Sequence, residues 1–161
     1  ANLFRVVIDR PHAGRKCLMV DNTGSGPEGS GAKPIQVLSD PIPVEPWKVY
    51  ELRGFLRMTG GAEDPKYGHA MIDIEFFDAH KKTLNLRGPL NGSYGEELST
   101  NYYVSETGDE WYEVHYPMIT PRRARFVRII PNVNFGRAKA WFDDIRVVPL
   151  DVNAPAAAGR R

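Results

Sequence analysis

At 161 residues the chain is long enough for one domain with a real core and too short for two of ordinary size. Hydrophobic residues make up 42% and charged residues 25%, which excludes wholesale disorder; a formal charge of +1 gives no reason to expect a nucleic acid or an anionic membrane as partner. A single cysteine excludes an internal disulfide and a Cys-based zinc cluster, and no apolar run approaches the ~18 residues of a membrane-spanning helix.

Glycines and prolines punctuate short β-branched and aromatic runs, and no long helical stripe is present. "LFRVVID" (3–9) stops at Pro11. "KCLMVDN" (16–22) places Cys17 in an apolar strand as a small buried hydrophobe, then runs into the Gly/Ser-rich "TGSGPEGSGAKP". That loop is no phosphate cradle, because Lys33 is followed by Pro34 and a strand, not by Ser or Thr and a helix. "IQVLSD" (35–40) and the Pro-rich, extended "PIPVEPW" (41–47) come next. "KVYELRGFLRM" (48–58) sets Tyr50, Leu52, Gly54, Leu56 and Met58 on one face and Glu51, Arg53, Phe55 and Arg57 on the other. "HAMIDIEFF" (69–77) turns Ala70, Ile72, Ile74 and Phe76 inward and Asp73 and Glu75 outward. Asp78 to Lys81 read as the hairpin turn that follows, with Asp78 bonding its own backbone. "WYEVHYPM" (111–118), "ARFVRIIP" (124–131) and "KAWFDDIRVVPL" (139–150) complete the set, and the arginines at 122, 123, 125 and 128 read as a solvated face.

This order predicts an all-β fold, a two-sheet antiparallel β-sandwich, with a closed barrel as the alternative. Residues 1–150 form the one domain and 151–161 a flexible tail or linker. No complete catalytic constellation is present. The histidines at 12, 69, 80 and 115 lack metal spacing, no GxSxG occurs, and adjacent acids do not make the opposed carboxyl pair of a glycosidase. In "WFDDIRV", regular alternation puts Asp143 on the face of Ile145. A carboxylate there needs partners. Ca²⁺ is one solution; backbone N–H groups at a strand bend, or an arginine, are others.

The segments "HAGRKCLMVDN", "PIPVEPWKVYELRGFLRM", "IDIEFFDAHKKTL", "WYEVHYPMITPRRARFVRI" and "WFDDIRV" together resemble, in number and order, calcium-supported β-jelly-roll carbohydrate-binding modules. The likeness spans roughly 12–148, with Trp47 where glycine is usual. It implies a jelly-roll sandwich that binds a polysaccharide or oligosaccharide without cleaving it, usually as an appendage of a secreted enzyme. It also implies a structural Ca²⁺ with Asp143, the first of the closing Asp pair, as a ligand. A Phe-Glu pair that often supplies another ligand is not found in the opening Ala1–Asn2–Leu3–Phe4–Arg5, which leaves backbone oxygens near His12–Lys16 as a source. Sugar contacts vary within such families, so local chemistry selects them. Outward Arg53, Arg57, Asp73 and Glu75 on one sheet would bond hydroxyls, and the loop tyrosines Tyr67, Tyr94, Tyr102 and Tyr103 would stack. The rival reading is a structural or assembly sandwich whose exposed groups contact neighbouring domains or other copies.

Overall fold

The computed structural model describes residues 4–23, 34–60, 69–84, 110–134 and 138–151, with the backbone alone for His69 and Asn134. They contain nine strands and no helix: β1 (Phe4–Val7), β2 (Cys17–Asp21), β3 (Ile35–Gln36), β4 (Ile42–Pro43), β5 (Val49–Gly60), β6 (His69–Phe77), β7 (Tyr112–Ile119), β8 (Phe126–Asn134) and β9 (Ala138–Pro149). The larger sheet runs β1-β2-β9-β5-β7; in the smaller, β8 is flanked by β6 on one edge and by β3 and β4 on the other. Every pairing is antiparallel. The fold is a two-sheet β-sandwich, not a closed barrel.

Alternation explains which side chains meet between the sheets. Tyr50, Leu52, Leu56 and Met58 of β5 pack with Ile72, Ile74 and Phe76 of β6 and Val127, Ile129 and Val133 of β8. Gly54 sits at a tight point of this layer. A Cβ there would lie 3.1 Å from Ile145 Cγ1 and from Ile72 Cδ1. Ile35–Gln36 and Ile42–Pro43 are the short ends of one segment along β8, bridged by Val37 N–H to Pro131 O and Ser39 N–H to Ile129 O. Prolines 34, 41, 43 and 46 suit an edge, where a missing N–H costs no ladder bond.

One irregularity redirects a strand. The β5–β9 register shifts between Arg53 and Phe55, and Asp144 adopts φ 50. This is a β-bulge, which adds a residue on one side of the ladder. Before it, Phe142 faces the core; after it, Ile145 and Val147 do. Asp143 therefore shares the outer face with Trp141, and Ile145 lies on the opposite face. The sequence expectation that Asp143 and Ile145 share a side fails because alternation holds only where no residue is inserted.

Three connections gather at one end of the sandwich. Asp78 closes the turn after β6, with Oδ1 accepting the N–H of His80 (2.9 Å) and of Lys82 (3.0 Å). Arg125 N–H, in the turn between β7 and β8, bonds Phe77 O at 2.8 Å. The turn before β5 joins them, as Trp47 N–H donates to Thr120 O at 3.1 Å and Lys48 N–H to Thr120 Oγ1 at 3.0 Å. Trp47 stands 69% exposed with φ 57. A left-handed backbone costs a non-glycine residue about 1 kcal/mol or more.

Candidate functional site

The residues expected to form one outward polar sheet divide between two sheets. Arg53 and Arg57 lie on β5 of the larger sheet; Asp73 and Glu75 lie on β6 of the smaller. The inference failed because β5 and β6 follow each other in sequence but belong to opposite layers.

Arg57 is 1% exposed, so it is no surface contact. Its guanidinium carbon lies 4.2 Å from the Trp141 ring centroid and 5.4 Å from that of Trp111. Nη2 donates to Asp9 O at 3.4 Å and reaches Asp9 Oδ2 at 3.5 Å. Cys17, Met19 and Trp141 form a small second core around it, with Val7 and Trp111 against them. Nearby, His12 stacks on Phe55 with centroids 3.3 Å apart. Residues 8–16 and Trp111 thus make an aromatic cover over this end of the outer face, and Arg57 is a structural cation inside it. Burial, then the Asp143 charge, pushes the Cys17 thiol up from its ordinary value, so this cysteine is held as the neutral apolar group expected.

Further along the same face, Arg53 Nε donates to the buried Glu51 carboxylate, and His115 Nε2 meets Glu51 Oε1 at 2.9 Å. Arg146 stands opposite Arg53 on β9. Arg53 and His115 keep access to solvent here.

On the outer face of the smaller sheet, Asp73 is buried rather than exposed, and Asn132 Nδ2 donates to its Oδ2 at 2.5 Å. Asn132 Oδ1 has no hydrogen-bond partner among the described residues. One step along, Glu75 accepts from Thr83 Oγ1 at 2.9 Å and faces Arg128 Nη1 at 3.6 Å. The Arg128 guanidinium also covers the Phe77 ring at 4.8 Å. Glu75 and Arg128 are partly exposed, so they are the reachable pair of this row. Tyr67, Tyr94, Tyr102 and Tyr103 lie outside the described residues.

Asp143 is held by backbone donors. Ala13 N–H bonds Oδ2 at 3.0 Å, and Asp144 N–H bonds Oδ1 at 2.9 Å. The first of these anchors the loop of residues 8–16 to β9. Ca²⁺ takes six to eight oxygens. Among the described residues no three His, Cys, Asp or Glu side chains converge on one point, and Asp143 by itself is a single ligand. The side chains described here do not by themselves fit the ion.

Sequence reasoning passed over the end where the three turns meet. There Asp78, Lys82, Thr83, Leu84, Pro121, Arg122 and Arg123 line a cleft of about 420 Å³. A second hollow of about 280 Å³ continues past Asp78 to His80 and Arg125. Arg123 Nη2 bonds Asp78 Oδ2 at 3.2 Å. The Lys82 N–H bond to Asp78, with help from His80 N–H and Arg123, holds the Asp78 carboxyl below its usual range. The signal was present as two basic runs, "HKK" and "RRAR", but only the fold places them side by side.

No protein-family model matches the chain, and no curated protein matches it. Solved structures do. A "Family 16 Carbohydrate Binding Module-2" superposes with a TM-score of 0.56 at 14% identity, covering 91% of this chain and 85% of that one. The CBM22-1 xylan-binding domain of Paenibacillus barcinonensis Xyn10C gives 0.55 at 12% identity, over 94% and 84%. The fold is that of the carbohydrate-binding modules. The enzymatically active domain of bacteriophage CBA120 tailspike protein 4 gives 0.63 at 10% identity, over 91% of this chain but 18% of that one. Against the two carbohydrate-binding modules the superposition spans most of both chains, so the sandwich corresponds to a whole module; against the tailspike it corresponds to a minor part.

Proposed function

We propose that this carbohydrate-binding-module fold binds a polysaccharide or oligosaccharide without cleaving it, on the outer face of β6 and β8. The observation that carries this reading is the row of hydrogen-bonding side chains there, Asp73, Glu75, Arg128 and Asn132, on a sandwich whose solved neighbours include a xylan-binding domain. Carboxylates accept from sugar hydroxyls, guanidinium donates, and a carboxamide does both. Glu75 and Arg128 make the first contacts, while buried Asp73 and Asn132 brace the floor. Secretion beside a glycan-active enzyme belongs to the same proposal.

A broad glycan panel on the intact chain tests it. Binding to at least one glycan, weakened about tenfold by Glu75→Ala or Arg128→Ala through loss of a charge-assisted hydrogen bond, is the expected result. Silence across the whole panel overturns it. Calcium at Asp143 is a proposal resting on the resemblance. It predicts a rise in Tm on adding Ca²⁺ that Asp143→Asn abolishes.

One observation favours the assembly reading as a second. Phe4 and Val6 pair with Val20 and Leu18, which face the core, yet both are exposed on edge strand β1, and Ile8 beyond them is exposed too. An apolar edge invites pairing with another chain. A stable oligomer by solution mass, without glycan affinity, would select this reading.

A further inference from the structure

The cleft at the meeting of the three turns has a composition unlike either sheet face. Lys82, Arg122 and Arg123 line it, Arg125 lines its continuation, and Asp78 is the single carboxylate among the described residues that line the two. That carboxylate is already committed. One oxygen accepts two backbone N–H groups and the other accepts Arg123. Asp78 fixes the shape of the cleft and neutralises only part of its positive charge. Pro121 and Leu84 supply apolar wall and Thr83 a hydroxyl. A volume of about 420 Å³ lies in the range of small-ligand pockets.

Trp47 belongs to the adjoining turn at the same end, its backbone bonded to Thr120, the residue before Pro121. It is a large aromatic held exposed and in a left-handed backbone. Strain of this kind persists where the surroundings over-determine it and clusters at ligand clamps.

We infer that this cleft binds an acidic sugar unit of a polysaccharide, its carboxylate or sulfate held by Arg122 and Lys82 and its ring against Pro121 and Leu84. Arg123 belongs to the frame, since its guanidinium is engaged with Asp78. Guanidinium and ammonium groups bind an anion by charge-assisted bonds, the apolar wall suits the C–H face of a pyranose, and Thr83 serves a hydroxyl. A continuous nucleic-acid strand would call for a longer basic track than this short cleft beside one aromatic. The site is separate from the β6–β8 row, although its ligand class rests on the glycan-binding reading.

The test is titration of the full chain with polygalacturonate, its methyl ester, heparin and duplex DNA, at low and moderate salt. The acid or the sulfated glycan binds and weakens with salt, the ester binds at least about tenfold more weakly, and Arg122→Glu or Lys82→Glu costs about tenfold while Tm stays unchanged. Polygalacturonate carries carboxylates alone and heparin carries sulfates as well, so the preference between them shows whether carboxylate suffices and supports the site either way. Equal binding of acid and ester, binding of DNA as tight as that of the acidic glycans, or charge-reversal variants that bind as well as wild type, each overturns it. Glu75→Ala separates the two proposals, because it should leave acidic-glycan affinity intact. Acidic glycans that bind while every neutral one fails would remove the sheet site and keep the cleft.

Discussion

Two arginine–aspartate pairs hold loops to this sandwich, and they are mirror images in burial. In one, the Arg57 side chain is 2% exposed and its partner Asp9 is 58% exposed. In the other, Arg123 is 72% exposed and Asp78 is 9% exposed. The buried member has its environment built around it in each case. Arg57 has two tryptophan faces, while Asp78 has two backbone N–H donors. The exposed member faces water, so its share of the ion pair is screened and worth little. An ion pair of similar length thus does different work at the two ends. It seals the outer face near β2 and leaves an open, cationic rim at the turns.

The largest test breaks the sealed end. Arg57→Ala removes the stem and the cation from between Trp111 and Trp141 and should cost about 2–4 kcal/mol, read from urea unfolding. Arg57→Met, which keeps the stem without the charge, should recover part of this; equal losses in the two variants would show that the cation itself carries the site.

The next test concerns pH. The folded Asp78 pKa lies below its unfolded value of about 3.9, so its contribution is fully present above that value and is lost as pH falls through the folded pKa. The Tm of the wild type should therefore drop more steeply on the acid side of about pH 4 than that of Asp78→Asn. Parallel Tm–pH curves would contradict the assignment. The smallest effects belong to the exposed partners. Asp9→Ala should change stability by less than about 1 kcal/mol, and Arg123→Ala should leave Tm nearly unmoved. A large loss in either would break the mirror relation.

Local pattern made much of this readable in advance. The inward rows of β5 and β6, the neutral Cys17 and the Asp78 turn depend on alternation and on one side chain bonding its own neighbours. Arg57 was misread as a surface group because its shelter comes from Trp111 and Trp141, which are remote in the chain. Asp73 was misread for the same reason, its partner Asn132 lying on another strand. The basic runs at 80–82 and 122–125 each looked like ordinary solvated charge, and only the pairing of Phe77 with Phe126 brings them together.

The bulge at Asp144 carries a consequence for how β9 tolerates change. It works like a phase marker in a two-beat code: residues before it keep one parity and residues after it the other. Straightening the bulge while keeping every residue in the ladder would be the structural counterpart of a frameshift. Either Ile145 and Val147 would be thrown out to solvent while Arg146 and Val148 turned inward, or Trp141 and Phe142 would trade sides. One residue in an unusual backbone conformation thus lets a single strand serve a charged anchor and an apolar core in immediate succession.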